Sequence, residues 1–499
     1  MKRNYKTILF ALTAAMIAPI VGCGGSSTDE AHTIKIWTTF NDDYGAIITK
    51  VKKSFEAKYP EYKVSYKKIN GGYNDLAADI EKGASAGDIP DMAALYPDSM
   101  AKFLDLQIGM NIEKYMKDEE IGWTDEDFDD IPEGYITEGQ SYVLPGTYSL
   151  PICKSTEAMF YDKDALVNNG GLDLSSYDDT INDGDPLTET YMNNLTWDDL
   201  FDHLLPAIER YIKDNPSDTR FSPYAAKYEK NGALFGYDSD DNMFITLAEQ
   251  YGYGYTSVNS TTGKGSIDFV VKNDKGEFAG ITDEYYALIT KLYNAAKARY
   301  LTTSAYLGER VNYVFTTGGM LMSVGSTGGT KYQFSTTHPL DVGVARIPQA
   351  DPDNGKIINQ GPSVVFLRNP KIKKDAEKVD IKARGMWLFY KEWTSKDYAT
   401  EWTVTTNYAP IRKSTGEDPI YLAKCDEDAQ TLKTAGMLNA RTFKYVAEVS
   451  DNLFGSPVFT NSGKARNAVA GIFSDVFKLT TLTRSGVEEI FSRAYSAAI

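Results

Sequence analysis

The motif most suggestive of catalysis is Gly83-Ala84-Ser85-Ala86-Gly87, which has the G-x-S-x-G spacing of a hydrolase nucleophile elbow. Such an elbow needs a strand before the serine and a helix after it, because the sharp turn between them exposes the hydroxyl. Here a helical pattern precedes the motif and an apolar strand pattern follows it. Only three histidines, at positions 32, 203 and 338, could serve as a base. The sequence therefore does not favour a serine hydrolase.

A second motif imitates a calcium-binding loop. Asp238, Asp240 and Asn242 have the spacing of the first ligands of an EF-hand, and Glu249 has that of its last. Position six of that loop requires glycine, whereas this chain has Met243, and the residues after it form a helical pattern. We therefore expect no metal ion and no cofactor here. The sequence leaves open whether Asp183-Gly184-Asp185 binds an ion in a surface loop.

Glycoside hydrolysis needs only two carboxyl groups about 5–10 Å apart, flanking the bond that is cleaved. With 69 Asp and Glu in the chain, such pairs arise by chance, and no motif marks one. A surface glycoside hydrolase stays open as an alternative, although the sequence predicts that the protein is not an enzyme.

The elements that would position functional side chains alternate between strand and helix. Strand periodicity at 33–38, 62–66 and 91–95 is separated by helical spacing at 48–59 and 76–80. This order predicts an α/β fold with a mostly parallel sheet flanked by helices. Further helical patterns occur at 383–390, 469–476 and 487–494, and two acidic stretches, 117–147 and 167–198, are predicted to be surface insertions.

The N-terminus has the pattern of an export signal. Three cations precede an apolar stretch at 8–21, which is too short to span a bilayer. The stretch ends at Ile20-Val21-Gly22-Cys23, which resembles the lipobox of bacterial lipoproteins. The resemblance implies a signal peptide at 1–22, lipidation of Cys23, a flexible tether at 23–31, and a lipid anchor on the extracytoplasmic face of the cell membrane. An ordinary secreted protein with an incidental cysteine is the alternative.

The net charge and the cysteine count limit which partners and cross-links the chain could have. Removal of residues 1–22 takes away three of the 52 Lys and Arg and no acidic residue, which leaves a net charge of −20. A chain with this much negative charge repels phosphate backbones. We therefore expect no nucleic-acid partner. Cys153 and Cys425 are too few for a disulfide framework, and the sequence leaves a single bridge between them open.

Several segments resemble, in order along the chain, the extracellular solute-binding proteins of ABC importers, in the carbohydrate-binding group that includes maltose-binding protein. The segments are the first strand with Trp37, Ser54-Phe55-Glu56-Ala57-Lys58-Tyr59-Pro60, Gly87-Asp88-Ile89-Pro90-Asp91, Phe160-Tyr161-Asp162-Lys163, Thr196-Trp197-Asp198-Asp199-Leu200, Phe315-Thr316-Thr317-Gly318-Gly319-Met320-Leu321-Met322, Gly343-Val344-Ala345-Arg346-Ile347-Pro348 and Asn407-Tyr408-Ala409-Pro410-Ile411-Arg412.

The resemblance implies two α/β lobes joined by crossover strands, with the ligand in the cleft between them. It places 32–152 and 363–405 in the N-lobe and 157–360 and 408–499 in the C-lobe. The lobes would close over a sugar or oligosaccharide, and a membrane permease would recognise the closed form. The implied protein is a monomer. A polyol or another small polar solute is the alternative ligand.

Candidate ligand-binding residues follow from the strand ends and from the resemblance. The loops after the first and third strands supply Trp37, Thr39, Asn41, Asp42 and Tyr96, because ligands of α/β sheets bind beyond the carboxyl ends of strands. The resemblance adds one residue of the first crossover, six residues of the C-lobe and three of the hinge: Glu157, Asp241, Asn242, Tyr255, Ser326, Thr327, Phe459, Asn407, Tyr408 and Arg412. The loop at 325–329 carries no aromatic ring, unlike that of maltose-binding protein.

Overall fold

The computed structural model describes residues 30–221, 232–259, 262, 264–426 and 435–499. The predicted signal peptide, the lipidation site Cys23 and most of the tether lie outside the described residues, as does the side chain of Cys425. Cys153 is buried and carries a free thiol. Within the described part of the chain, no helix is long and apolar enough to cross a bilayer.

Sixteen strands and twenty α-helices are described in these ranges. The strands are β1 (Thr33–Thr38), β2 (Lys63–Lys68), β3 (Met92–Leu95), β4 (Ser149–Pro151), β5 (Glu157–Asp162), β6 (Phe235–Tyr237), β7 (Thr256–Val258), β8 (Gly265–Ile267), β9 (Val271–Lys272), β10 (Phe278–Gly280), β11 (Leu301–Thr303), β12 (Met322–Ser326), β13 (Val342–Ala345), β14 (Ile357–Ile358), β15 (Ser363–Phe366) and β16 (Leu453–Phe454). The helices are α1 (Asp42–Lys58), α2 (Tyr73–Ala84), α3 (Asp98–Asp105), α4 (Glu113–Met116), α5 (Asp125–Asp130), α6 (Glu133–Glu138), α7 (Lys163–Leu166), α8 (Glu189–Asn193), α9 (Leu205–Asp214), α10 (Asp240–Gln250), α11 (Asp283–Lys297), α12 (Ser304–Leu307), α13 (Val311–Thr316), α14 (Ala376–Trp393), α15 (Lys396–Thr406), α16 (Pro419–Asp426), α17 (Ala435–Glu448), α18 (Ser462–Val469), α19 (Ile472–Lys478) and α20 (Arg484–Ala498).

The first lobe is built on a five-stranded sheet in the order β2-β1-β3-β15-β4. β1 runs parallel to β2 and β3, whereas β15 is antiparallel to β3 and β4. Alternate residues of β1 are buried, and α1 buries the stripe that includes Ile48, Val51 and Phe55, as its periodicity predicts. Helices therefore cover both faces of this sheet and enclose a hydrophobic core on each side.

The second lobe is built on a sheet in the order β11-β6-β12-β5-β13. β6 is parallel to β11 and β12, and β5 is antiparallel to β12 and β13. One large core of buried side chains surrounds this sheet. The carboxyl ends of β6 and β12 and the amino end of β5 therefore lie at the same edge.

Three hinge segments, residues 152–156, 359–362 and 407–411, lie at the junction of the two lobes. Ser155 and Gln360 exchange backbone hydrogen bonds of 3.0 and 2.8 Å, and the amide of Ala409 donates to the carbonyl of Lys154 at 2.6 Å. The segments therefore lie side by side. Lys154 is fully buried and pairs with Glu138 of the first lobe, whose carboxylate also accepts from Ser363 at 3.2 Å.

The prediction that two acidic stretches are surface insertions is wrong. Trp123 and Tyr135 of the first stretch pack into a core of the first lobe. Leu187 and Trp197 of the second stretch pack into the core of the second lobe. The acidic residues lie around short helices whose apolar side chains are spaced too irregularly to form a periodic pattern. The predicted helix at 469–476 is also interrupted, because α18 ends at Val469 and α19 begins at Ile472.

Candidate functional site

The candidate site is the cleft between the two sheet edges, with the hinge segments behind it. On the first lobe, β1, β2 and β3 end at this edge and are followed by α1, α2 and α3. On the second lobe, β6 leads into α10, and β12 leads into a 3₁₀ segment at Thr327–Gln333. Loops at the carboxyl ends of strands from both lobes therefore meet here, where ligands of open α/β sheets bind.

Four tyrosines line the first-lobe and hinge side of the cleft. The rings of Tyr73 and Tyr96 meet edge to face at 5.2 Å between centroids, and those of Tyr44 and Tyr408 at 6.4 Å. The hydroxyls of Tyr73 and Tyr408 are close enough for each to affect the pKa of the other. Tyr96 is 40% exposed, whereas the other three are half-buried. We call Tyr44, Tyr73, Tyr96 and Tyr408 the tyrosine cluster.

Gly328 of the second lobe makes a close approach to the tyrosine cluster. A Cβ atom at this position would lie 2.9 Å from Cε1 of Tyr408, so any side chain there would displace the ring. The loop that lacks an aromatic residue thus leaves room for a ring contributed by the hinge. Beside it, Ser326 donates to the hydroxyl of Ser155 at 3.3 Å, and Thr327 accepts from the amide of Thr156 at 3.0 Å. Ser326 and Thr327 therefore fasten this loop to the hinge.

Polar side chains form the second-lobe wall of the cleft. The guanidinium of Arg466 donates through Nη1 to Oδ2 of Asp241 at 3.1 Å and to Oδ1 of Asn242 at 2.7 Å. The amide of Asn242 donates in turn to Oε1 of Glu157 at 3.2 Å, and the Tyr237 hydroxyl donates to Oε2. Three predicted residues, Glu157, Asp241 and Asn242, are therefore brought together in one hydrogen-bonded chain, in which Arg466 joins Asp241 to Asn242.

Glu157 is the most strongly perturbed carboxyl group of this chain of contacts. It is 1% exposed. Burial raises its pKa to about 8, although the hydrogen bonds from Tyr237 and Asn242 oppose the rise. At neutral pH the group is therefore largely protonated and adds little negative charge to the cleft.

The raised pKa of Glu157 makes stability depend on pH. Below pH 4.5 the carboxyl is protonated in both the folded and the unfolded chain; between 4.5 and about 8 only the unfolded chain releases the proton. As pH rises through this window, we expect the ionisation of Glu157 to lower the free energy of unfolding by on the order of 2 kcal/mol. A shift of one pKa unit is worth about 1.36 kcal/mol, and relaxation of the structure around the carboxylate reduces the total. Urea denaturation of the Glu157→Gln variant should show this part of the decline removed.

Glu489→Gln is the matched control for that titration, because the carboxylate of Glu489 is 76% exposed. It should leave the pH profile of unfolding unchanged. An unaltered profile in Glu157→Gln would show that the buried carboxyl does not titrate in this range.

Other predicted residues have structural partners. Trp37 lies within β1, partly packed on the core beneath α2, with the Lys67 ammonium 4.8 Å from its ring centroid. Asn41 caps α1 by accepting from the amide of Tyr44, and Asp42 pairs with Lys68 at 2.7 Å on the surface. Thr39 is half-buried in the loop between β1 and α1. These four residues are not brought into the network of the second-lobe wall.

Arg412 lies away from the cleft, contrary to its prediction as a ligand-binding residue. Its guanidinium, 2% exposed, pairs with Asp127 and Asp130 at 3.0 Å each. Its Nε also donates to the carbonyl of Thr394 at 2.5 Å, and Ile411 packs into the same first-lobe core. The carboxylates that hold Arg412 come from the stretch that was expected to be a surface insertion. All of these partners of Arg412 belong to the first lobe.

Tyr255, Phe459 and Asn407 complete the predicted set. Tyr255 is 9% exposed and lies in the electrostatic neighbourhood of Arg466, Asp98 and Asp241. Phe459 is buried against Gly265, at the rim of an opening of about 560 Å³ between the lobes. Asn407 ends α15 in the left-handed conformation, with φ of 60°, and directs the chain into the hinge.

Sequence reasoning missed Tyr44, Tyr73, Asp98 and Arg466. Tyr73 begins α2 just after β2, and Tyr44 and Asp98 lie in the first turns of α1 and α3. The rule that selected Tyr96, namely the position just beyond a strand end, applies to these residues as well. Arg466 had no such signal, because its helix α18 does not directly follow a strand of either five-stranded sheet. Among the described residues, no group of three or more His, Cys, Asp or Glu is placed to hold a metal ion.

Comparison with known proteins identifies the family. The sequence profile described as bacterial extracellular solute-binding protein matches residues 50–424. Similar solved structures include UgpB from Mycobacterium tuberculosis in complex with glycerophosphocholine, with a TM-score of 0.62 at 14% identity. Others are Lmo0181 from Listeria monocytogenes in complex with cycloalternan, with 0.60 at 13%, and maltose-bound MalE3 of T. maritima, with 0.59 at 14%.

Each of the three alignments covers 93% of this chain and 98% of the other. No curated protein sequence matches the chain at a significant level. The predicted α/β two-lobed fold and the predicted family are both confirmed. The profile match spans most of the sequence, and the chain belongs to the bacterial extracellular solute-binding protein family.

Proposed function

We propose that this chain is the substrate-binding lipoprotein of an ABC importer and captures a sugar or oligosaccharide in the interlobe cleft. The single observation that carries the proposal is the tyrosine cluster facing a wall of Asp241, Asn242 and Arg466. Sugars have apolar ring faces edged by hydroxyl groups. Flat aromatic rings suit the faces, and carboxylate, amide and guanidinium groups suit the hydroxyls.

The charges of the wall favour an uncharged ligand. The guanidinium of Arg466 lies within ion-pair distance of two carboxylates, Asp98 at 3.5 Å and Asp241 at 3.1 Å. An anionic ligand would have to compete with both carboxylates for this cation. A neutral polyhydroxylated solute gains hydrogen bonds here without such competition.

The anchor and the partner complete the proposed function. Cys23 would carry the lipid and residues 23–31 the tether, which places the cleft at the extracytoplasmic face of the membrane. The lipobox pattern and the extracellular family support this. The partner would be the permease of the importer, and the protein would act as a monomer that binds its ligand unchanged. We propose the lobe boundaries given above, except that residues 411–418 go with the first lobe, because Ile411 packs in its core, Ser414 bonds to Asp130 and Asp418 accepts from Thr400.

A ligand screen tests this function. At a ligand concentration one hundred times Kd, binding adds about 2.7 kcal/mol to the free energy of unfolding, which raises Tm by several degrees. We expect this rise with at least one of maltose, maltotriose and a cyclic glucan, and no product when the mixture is analysed. Glycerophosphocholine, the ligand of the UgpB structure, represents the non-sugar polar solutes. A response to that compound alone would contradict the proposed sugar, and product formation would contradict the proposed role as a receptor.

Tyr408→Ala should raise the Kd of any sugar found in the screen about fivefold, since an aromatic contact of this kind is worth on the order of 1 kcal/mol. Isothermal titration calorimetry measures the change. Tyr286→Ala is the matched control, because Tyr286 lies on α11 of the second lobe with its ring against the guanidinium of Arg484. An unchanged Kd in Tyr408→Ala would remove this ring from the site.

A further inference from the structure

One cluster of polar contacts crosses directly from lobe to lobe beside the cleft. Asp98 begins α3 of the first lobe, whereas Ser462 and Arg466 belong to α18 of the second. The Ser462 hydroxyl donates to Oδ1 of Asp98 at 2.9 Å, and Nε of Arg466 lies 3.5 Å from its Oδ2. Both oxygens of one first-lobe carboxylate therefore face second-lobe partners.

Arg466 is held in place from its own lobe. Its contacts with Asp241 and Asn242 fix the guanidinium on the second-lobe wall, so little side-chain entropy remains to be lost when Asp98 approaches. The side chains of Arg466 and Asp98 are 28% and 21% exposed, and Ser462 is 5% exposed. The ion pair is thus partly desolvated, which strengthens it, but it is still within reach of dissolved salt.

We propose that Asp98, Ser462 and Arg466 form an interlobe latch that holds the cleft closed in the absence of ligand. The latch rests on the two-lobed fold and not on the identity of the ligand. When the lobes separate, both contacts of Asp98 break, whereas those of Arg466 with Asp241 and Asn242 persist. The latch therefore sets the ratio of closed to open protein before ligand arrives, and with it the fraction of binding energy spent on closure.

The distance between the lobes of the ligand-free protein tests the latch. Fluorescent labels on cysteines introduced at Lys82 and Glu489, which are 79% and 76% exposed and lie on opposite lobes, would report it by single-molecule energy transfer. Cys23 and Cys425 are replaced by serine, and Cys153 is buried.

We expect Asp98→Asn to lower the closed-to-open ratio roughly fivefold, which corresponds to the free energy of a favourable exposed ion pair. Sodium chloride at 0.5 M should do the same to the parent protein and add little in Asp98→Asn.

Asp241→Asn is the matched control, because it removes the other carboxylate of Arg466 without touching a contact between the lobes. Asn242 still holds the guanidinium in this variant, so Asp241→Asn should open the cleft clearly less than Asp98→Asn does. Ser462→Ala should shift it toward the open form by less than Asp98→Asn, and it decides the matter if Asp98→Asn does not fold by circular dichroism. An unchanged distribution in the variants of Asp98 and Ser462, or an equal opening in Asp241→Asn, would overturn the latch.

Discussion

Replacing Glu138 by alanine is expected to lower the free energy of unfolding by about 3–5 kcal/mol, among the largest effects of a single substitution in this protein. Its partner Lys154 is fully buried in the first hinge segment, and Glu138 itself is 16% exposed. Without the carboxylate, the ammonium group of Lys154 would stay in the hinge with no counterion. The loss should appear as a lower midpoint of urea denaturation.

The position of Glu138 makes the effect reach beyond one pair. Its carboxylate also accepts from the hydroxyl of Ser363 at 3.2 Å, just after the second hinge segment. The backbone carbonyl of Lys154 accepts from Ala409 of the third segment. One buried ion pair therefore stands at the junction of all three hinge segments, where a loss of packing would loosen the relation between the lobes as well as lower stability.

Two further variants isolate the contribution of the buried charge. The double variant Glu138→Ala with Lys154→Met should recover part of the loss, because it leaves no charge in the hinge. Glu401→Ala breaks a comparable pair with Lys50 on the surface, where the side chains are 33% and 60% exposed, and should cost less than 1 kcal/mol. If Glu138→Ala costs no more than Glu401→Ala, the hinge pair is hydrated and the explanation fails.

The sheet of the first lobe could be predicted from sequence because its signals are local. β1 alternates buried and half-buried residues, and α1 repeats its apolar positions at the helical period. The helix at 76–80 and the strand at 91–95 follow the same rules, and the structure places α2 and β3 there. Patterns that depend on neighbours in sequence survive in any context that buries one face.

The candidate site could be predicted only in part, because its partners are distant in sequence. Glu157, Asp241 and Asn242 came from the resemblance to the family, and the structure shows how they are connected. The contact of Ser462 with Asp98 joins positions 364 residues apart, and it exists only once two lobes face each other. No periodicity along the chain carries that information.

Arg412 illustrates the opposite error. Its place in the hinge motif made it a candidate ligand-binding residue, and its guanidinium would suit sugar hydroxyls. The carboxylates that hold it, Asp127 and Asp130, lie in a stretch whose acidity suggested a solvated surface. Because that stretch packs against the first lobe, the charge of Arg412 is neutralised in place. The structural role of Arg412 therefore depends on the packing of the acidic stretch at 117–147, which its composition alone does not reveal.

The second large effect is expected for Asp91, which lies just before β3 in the turn that contributed to the family resemblance. Asp91 and Lys382 of α14 are 1% and 2% exposed and form an ion pair of 3.1 Å beneath the sheet. Asp91 also accepts from the backbone amide of Lys35 at 2.8 Å. Burial raises the pKa of Asp91 above its ordinary value even with Lys382 beside it, which shows how strongly this site disfavours charge.

Asp91→Ala should therefore lower the free energy of unfolding by about 3–5 kcal/mol. The substitution leaves the buried Lys382 ammonium without its counterion and the Lys35 amide without its acceptor. Pairing the change with Lys382→Met should restore only part of the loss, because the amide would still lack its acceptor. Asp42→Ala, which breaks the exposed pair with Lys68, should leave the midpoint of urea denaturation nearly unchanged. Equal midpoints of urea denaturation for Asp91→Ala and Asp42→Ala would mean that the first lobe can rearrange to hydrate Lys382, and that the pair beneath β1 and β3 contributes little to the fold.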